Sequence, residues 1–189
     1  MRFSQPRIAP LSPDQWSSEQ AELMAPLAER GPVLKIFRTL VRHPAATRAF
    51  LGWGGYVLSR RNTLPARERE LVILRTGFCC RCGYEWAQHV PIGQRAGLTG
   101  EEIARIKRGP DAPGWSAADA ALLRAVDDLH GDCAVSDATW HALGEHFTEQ
   151  QCMDVVFTTG QYTQVSMLLN SFGVQLEDGQ QPDPDLDGG

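Results

Sequence analysis

The chain has 189 residues, of which 42% are hydrophobic and 22% charged, and its formal net charge is −5. This is ordinary globular composition at a length that suits one domain with a sizeable core. The acidic balance, without a basic run interleaved with aromatic residues, argues against a nucleic-acid partner. The sequence has neither an apolar stretch of the roughly 18 residues that a membrane helix needs nor an apolar signal-peptide core at its start. We therefore expect a cytoplasmic protein without a membrane partner.

In chain order, the first predicted element is an N-terminal arm over residues 1–15, where Pro6, Pro10 and Pro13 exclude a helix. From there to residue 176, apolar residues recur at helical spacing, and no segment keeps the alternation of a strand. The helices are predicted near residues 17–30, 33–42, 45–61, 63–77, 84–95, 99–107, 116–130, 136–147 and 148–172. The fold is therefore predicted to be all-α, with about eight helices in one domain over residues 16–176.

Several of these helices have clear N-cap signals. A candidate N-cap precedes an apolar-periodic segment at Ser17 or Ser18, Thr99, Ser116 and Thr148. Thr99 and Thr148 are followed three residues later by Glu or Gln, as in a capping box. Thr63 is the predicted N-cap of the central helix. The tail over residues 177–189 is acidic and rich in proline, with four aspartates, and we predict it to be disordered and dispensable for stability.

The central helix carries a carboxylate beside its most apolar segment. Glu70 directly precedes four apolar residues, 71–74, which cover all sides of one helical turn and so predict a helix buried nearly all round. A carboxylate so close to the core either pairs with Arg67 or Arg69 at the surface or lies in a pocket. The residues alone leave both alternatives open.

The next helix brings a thiol, an acid and an imidazole to one face. Cys82, Glu85 and His89 are spaced i, i+3 and i+7, so they point the same way on successive turns. Such a face could perform acid–base or thiol chemistry. The simpler alternative is that the helix is half-exposed and its histidine has no functional role. We expect Cys82 near the helix N-terminus, where the macrodipole would lower its pKa.

The cysteines do not suggest a disulfide framework. The chain has five, an odd number, and Cys79, Cys80 and Cys82 are crowded together. Cys79, Cys82 and His89 could supply three metal ligands, but no second ligand pair lies nearby in the sequence. We therefore predict no metal and no cofactor, and chance clustering near a packed site remains an alternative explanation of the thiols.

The spacing of Glu70, Cys82 and His89 resembles that of the carboxymuconolactone decarboxylase and AhpD-like family, and the segment Tyr84–His89 followed by Ala96-Gly97-Leu98-Thr99 adds to this resemblance. The likeness runs from about residue 30 to residue 177. It implies the AhpD-like helical fold, a small-molecule substrate and a homo-oligomer, namely a dimer, trimer or hexamer. Glu85 stands where the redox members of this family carry their second cysteine.

The resemblance implies catalytic roles for Glu70, Cys82, Glu85 and His89. In a lyase or isomerase of the decarboxylase type acting on a small organic acid, His89 would transfer the proton, Glu70 would orient it, and Glu85 would be a second acid. A titration of the rate near neutral pH is expected for such an imidazole. Candidate substrate-binding residues are Arg81, Trp86 and Tyr162, with Arg75 as an alternative cation.

Two other functions remain open. A thiol peroxidase of the AhpD type would use Cys82 as the attacking thiolate, with Cys79 as the resolving thiol because Glu85 cannot form a disulfide. A helical oligomer that binds a small molecule without turning it over is the third alternative.

Overall fold

The structure is a computed structural model that describes residues 3–186. Within that range it contains nine α-helices and no strand, so the all-α prediction is confirmed. No helix in this range is long and apolar enough to cross a lipid bilayer. The helices are α1 (Ser18–Ala28), α2 (Lys35–Leu40), α3 (Pro44–Val57), α4 (Ala66–Cys79), α5 (Gly83–Arg95), α6 (Gly100–Ile106), α7 (Ala117–Asp132), α8 (Asp137–Gly144) and α9 (Glu149–Phe172), with short 3-10 turns at Pro13–Gln15 and Pro184–Leu186.

Helix α4 is the centre of the fold, in contact with α5, α7 and α9. Its apolar turn, residues 71–74, is buried on all sides, as four consecutive apolar residues predict. Leu71, Val72 and Leu74 pack into one core cluster with α7. Ile73 points the other way, into a second cluster that includes Tyr162 of α9. The helix thus separates two apolar clusters, and Glu70 lies at their boundary.

A tight turn at Arg81 joins α4 to α5. The Cys82 N–H donates to the Gly77 carbonyl and the Arg81 N–H to the Phe78 carbonyl, both at 2.9 Å, which is the hydrogen-bond pattern of a Schellman motif. Arg81 is left-handed, with φ of 50°. A non-glycine residue there costs about 1 kcal/mol, so packing must hold the turn. The turn returns α5 along α4 and makes Cys82 the N-cap of α5, as expected.

Two glycines allow α4 and α5 to approach closely. A Cβ atom at Gly77 would lie 3.3 Å from Glu85 Cγ, and one at Gly93 would lie 3.2 Å from Leu74 Cδ1. Both distances are shorter than ordinary van der Waals contacts, so any larger residue would push the helices apart. Each glycine costs roughly 1 kcal/mol of helix propensity, and the resulting contact brings the carboxylates of α4 and α5 near each other.

The predicted caps at Ser17, Thr99, Ser116 and Thr148 are all present. The predicted cap at Thr63 is wrong, because α4 begins at Ala66 with Pro65 as N-cap. The Thr63 N–H and hydroxyl instead donate to Asp154 Oδ2 at 2.6 and 2.7 Å. The cap signal was misread because its acceptor lies on α9, far along the chain.

The N-terminal arm lies across the ends of α2 and α9. The N–H groups of Arg7 and Ile8 donate to the Phe172 carbonyl at 2.9 and 3.1 Å, and the Leu11 N–H donates to the Arg38 carbonyl at 2.9 Å. The extended, proline-rich segment therefore has its backbone groups satisfied by helix ends. The first two residues of the predicted arm lie outside the described residues.

The tail differs from its prediction, because residues 177–186 pack on the domain. Glu177 accepts hydrogen bonds from the Lys35 N–H at 2.7 Å and from the Tyr84 hydroxyl at 2.6 Å. Lys107 Nζ pairs with two tail carboxylates, those of residues 183 and 185, at 2.7 Å. Leu186 is only 8% exposed, in the same cluster as α7. The prediction of disorder is corrected for residues 177–186, since the acidic composition of the tail does not reveal which lysines on the domain will pair with it. Residues 187–189 lie outside the described residues.

Candidate active site

The centre of the site is a buried chain of two carboxylates and an imidazole. His89 Nδ1 donates to Glu70 Oε2 at 2.7 Å, and His89 Nε2 lies 2.9 Å from Glu85 Oε1. All three residues are buried: Glu70 is 1% exposed, Glu85 is 4% exposed and His89 is 6% exposed. Glu70 comes from the second turn of α4, whereas Glu85 and His89 are one turn apart on α5. The structure therefore places Glu70 in the protein interior, paired with His89, and not at the surface.

The two carboxylates decide the charge of His89. Burial alone would disfavour the imidazolium, but the charge of Glu85 and the hydrogen bond to Glu70 outweigh it and raise the pKa of His89 to about 10. At neutral pH the ring is therefore a cation between two anions. A titration near neutrality, expected for an unperturbed histidine, does not fit this environment.

Helix α9 closes the other side of the site. The rings of His89 and Tyr162 meet edge to face, with centroids 5.0 Å apart. Burial and the charges of Glu85 and Glu70 raise the pKa of Tyr162 well above its usual value, so it is a neutral phenol. One turn further along α9, the Ser166 hydroxyl faces the Cys82 sulfur. The structure thus places the predicted Tyr162 beside the imidazole and adds the Ser166 hydroxyl to the predicted set.

Cys82 is next to this chain but is not a thiolate. It is fully buried, and burial together with the charge of Glu85 raises the pKa of the Cys82 thiol to about 12. The expected lowering of this pKa at a helix N-terminus is therefore wrong. The backbone N–H of Glu85 and the neighbouring Ser166 hydroxyl do favour the thiolate, but the loss of solvation and the nearby anion dominate.

The other clustered cysteines face a different part of the protein. Cys79 Sγ lies 3.5 Å from Asp127 Oδ1 on α7, and burial raises the pKa of this thiol to about 12. Cys80 Sγ lies 3.9 Å from His130 Nδ1, also on α7. None of the five cysteines is in a disulfide. Within residues 3–186, no three His, Cys, Asp or Glu side chains are arranged to hold a metal ion.

The arginines that the sequence suggested for substrate binding are engaged or distant. Arg75 is held by Asp127, with two contacts at 2.6 and 2.8 Å, and Arg81 is exposed at the turn. The cation beside the site is Arg69, whose charge acts on Tyr162 and whose Nη1 donates to the Ser59 carbonyl at 3.4 Å. Its Nε is buried without a hydrogen-bond partner among the described residues.

Trp86 is also placed away from the imidazole. It packs against Phe78 at a centroid distance of 5.8 Å and beneath Lys107 Nζ at 5.3 Å, in the cluster that includes α7. The structure therefore brings together Glu70, Cys82, Glu85, His89 and Tyr162, and leaves Arg81 and Trp86 outside. It adds three residues that sequence reasoning missed, namely Arg69, Thr159 and Ser166. The spacing of Thr159, Tyr162 and Ser166, which is i, i+3 and i+7, would have shown that they share a face of α9.

The described part of the chain is all-helical, and its candidate site is a buried imidazole between carboxylates from two packed helices. The sequence model of the carboxymuconolactone decarboxylase family matches residues 44–128. This segment begins at α3 and holds all four residues of the predicted catalytic set. Over this segment the chain is similar to the carboxymuconolactone decarboxylase family, and the resemblance predicted from the sequence is confirmed there. No curated protein sequence matches it.

Solved structures share the fold. An uncharacterized peroxidase-related protein from Ralstonia eutropha JMP134, described as an alkylhydroperoxidase AhpD core, is 20% identical with a TM-score of 0.78, over 95% of this chain and 100% of that one. A peroxidase-related protein from Silicibacter sp. TM1040 is 14% identical with a TM-score of 0.71, over 99% and 94%. The debrominase Bmp8 is 14% identical with a TM-score of 0.76, over 95% and 96%. At such identities the likeness establishes the AhpD-like fold alone.

Proposed function

We propose that the protein is an enzyme that transfers a proton to a small organic acid, as a lyase or isomerase of the decarboxylase type. The observation that carries this proposal is the buried chain in which His89 contacts Glu70 and Glu85 at 2.7 and 2.9 Å. This chain keeps a charged proton donor in a dry site at neutral pH. A buried, strongly perturbed titratable group flanked by specific charges is typical of catalytic sites.

The chemistry of a lactone acid fits this donor. In a decarboxylation, the bond from the ring carbon to the carboxylate breaks, CO₂ leaves, and the electron pair stays on the ring as a dienolate. His89 would then give its Nε2 proton to carbon and regain one from water. Glu70 holds the ring through Nδ1, Glu85 stabilises the imidazolium, and Arg69, whose charge acts on Tyr162, is our candidate cation for the substrate carboxylate.

A thiol peroxidase is the second candidate, because structures with the same fold are described as peroxidase-related. The local chemistry does not favour it. Cys82 is buried with a raised pKa, the position three residues later is Glu85, and Cys79 bonds to Asp127 on α7. Attack on a peroxide needs an accessible thiolate.

The test is turnover of carboxymuconolactone in D₂O, followed by proton NMR. The wild type should release CO₂ and place one deuterium on the product ring, while His89→Gln should lose at least about a hundredfold in rate, in the usual range for a general acid. Cys79→Ser should have little effect, because this thiol faces α7. Since the pKa of His89 is raised to about 10, activity should persist through neutral pH and fall only as the pH approaches that value.

Peroxide treatment separates the two enzymes. In the same preparation, intact mass spectrometry should show no loss of two mass units linking Cys79 to Cys82. A disulfide there, formed in step with catalytic peroxide consumption, would replace the acid–base proposal with the peroxidase. Binding of the lactone without turnover or peroxide consumption would favour the non-catalytic alternative.

We also propose that the protein forms a homo-oligomer through an apolar face on α3 and α9. Trp53 and Phe157 are 42% and 37% exposed, with ring centroids 5.4 Å apart, and Met153 is 45% exposed one turn away. Such a contiguous apolar face is typical of an interface. Phe157→Glu should shift the mass measured by light scattering at micromolar concentration towards the 20.8 kDa monomer.

The matched control is Trp140→Glu, because Trp140 is equally exposed, at 44%, but lies on α8. It should leave the measured mass unchanged. A wild-type protein that is already a monodisperse monomer would contradict the proposed interface.

A further inference from the structure

Several buried polar atoms around His89 have no hydrogen-bond partner in the described part of the protein. They are Glu70 Oε1, Glu85 Oε1, Thr159 Oγ1 and Ser166 Oγ. All four residues are more than nine-tenths buried. Glu85 Oε1 lies near His89 Nε2, but that N–H is not aligned with it. Because an unsatisfied buried polar group costs about 1–3 kcal/mol, native proteins hold few of them, and four in one place require an explanation.

These atoms belong to three helices that pack together, with Glu70 on α4, Glu85 on α5 and the two hydroxyls on α9. Ser166 faces Cys82, the N-cap of α5, and Tyr162 one turn earlier meets His89 edge to face. Thr159 precedes Tyr162 by three residues, so it lies on the same face of α9. Thr158 provides the contrast on this helix, because its hydroxyl accepts a hydrogen bond from Asn62 at 3.4 Å. Gln161 Oε1 on α9 also has no partner among the described residues, but Gln161 lies against Gly54 of α3, whereas Thr159 and Ser166 share a face with Tyr162.

The chemistry of these atoms specifies the group that would satisfy them. The carboxylate oxygens of Glu70 and Glu85 can only accept a hydrogen bond while ionised, whereas the two hydroxyls can donate or accept. Two carboxylates and one imidazolium leave a local charge of about −1. This net negative charge would repel an anionic group of a ligand. A ligand without N–H or O–H groups would leave the carboxylate oxygens of Glu70 and Glu85 unpaired.

We infer that the α5–α9 contact is a binding subsite for a hydrogen-bond-donating group of the substrate, such as an enol, a hydroxyl or a ring N–H. The inference rests on the proposed function, since it names the part of the substrate that lies beside His89. The substrate carboxylate then points away from the two glutamates, towards Arg69, whose buried Nε also has no partner within residues 3–186. The subsite selects acids that carry a donor group over those that do not.

Equilibrium binding of two five-membered ring acids tests the subsite without any turnover. Pyrrole-2-carboxylate carries a ring N–H where furan-2-carboxylate carries an oxygen, and their shapes are nearly the same. Calorimetric titration of the wild type should show the pyrrole acid binding at least about tenfold more tightly, because the furan oxygen leaves a buried acceptor unpaired. Ser166→Ala should reduce this preference several-fold.

Thr158→Val is the matched control, because Thr158 is next to Thr159 on α9 but its hydroxyl already accepts a hydrogen bond from Asn62. It should lower the melting temperature, because it breaks a satisfied hydrogen bond, and leave the preference intact. Equal affinity for the two acids, or no binding of either, would overturn the subsite. A Ser166→Ala variant that is more stable but keeps the same preference for the pyrrole acid would also overturn the subsite. In that case the Ser166 hydroxyl would bind water and not the ligand.

The experiments distinguish a failure of the subsite from a failure of the proposed function. Deuterium uptake that depends on His89, without any preference between the two acids, would remove the subsite and leave the proton transfer intact. A clear preference for the pyrrole acid without deuterium uptake would support the subsite and remove the proposed proton transfer.

Discussion

His89→Leu is expected to lower the free energy of unfolding by about 3–5 kcal/mol at pH 7, the range for removal of one member of a buried ionic network. The reason is the charge that remains. Glu70 and Glu85 are nearly fully buried, and His89 contacts both of them. Without the imidazolium, two buried anions face each other with no cation between them. Urea unfolding followed by circular dichroism measures the loss.

Two comparisons separate this effect from a simple packing defect. Adding Glu85→Gln to His89→Leu should recover part of the stability, because it removes one of the two uncompensated anions. The pH dependence gives the second comparison. The pKa of His89 is raised from 6.5 to about 10, so its stabilising contribution is fully present below pH 6.5 and is lost as the pH rises through 10.

The wild type should therefore lose stability over that interval, and His89→Leu should lose less. Identical pH profiles for the two proteins would show that the imidazolium does not contribute to stability, and the site would have to be reconsidered as a neutral hydrogen-bonded cluster.

Deletion of residues 178–189 is expected to lower the melting temperature by roughly 5–10 °C. The deletion exposes the surface that Leu186 covers and removes the carboxylates paired with Lys107. Burial of one leucine contributes about 1.5–3 kcal/mol, and partly exposed ion pairs add at most about 1 kcal/mol each. In a chain of this length, each kcal/mol corresponds to roughly 2–4 °C. Differential scanning calorimetry provides the measurement.

Leucine-to-alanine substitutions provide the matched comparison. Leu186→Ala should account for a large share of the effect, whereas Leu58→Ala, at a position that is 50% exposed, should change little. An unchanged melting temperature after the deletion would mean that the tail contacts contribute no net stability.

The elements that could be predicted from sequence are those set by local chemistry. The N-caps at Thr99 and Thr148 are satisfied by groups three residues away, so the pattern alone identifies them. The face of Cys82, Glu85 and His89 was predictable for the same reason, because all three lie on one short helical segment. Thr63 shows the limit, since its true partner is Asp154 on a distant helix.

The parts of the site that depend on packing were harder to predict. The meeting of Glu70 and His89 requires the return of α5 along α4, and only the family resemblance suggested it. The thiol of Cys82 was expected to ionise easily because a helix N-terminus favours anions, but burial and Glu85 reverse that effect. Arg81 and Trp86 were chosen for their chemical type, and their types do not reveal which side of α5 faces the imidazole.

The left-handed turn at Arg81 also fixes the orientation of α5 relative to α4. A residue added to or removed from this connection would break the two hydrogen bonds of the Schellman motif and change the direction of α5 relative to α4. A single insertion beside Arg81 would thus turn His89 away from Glu70 while leaving every side chain of the site in the sequence. The length of the connection is therefore as important to the site as the side chains that contact the imidazole. Homologues whose connection differs in length would have to place their imidazole by another route.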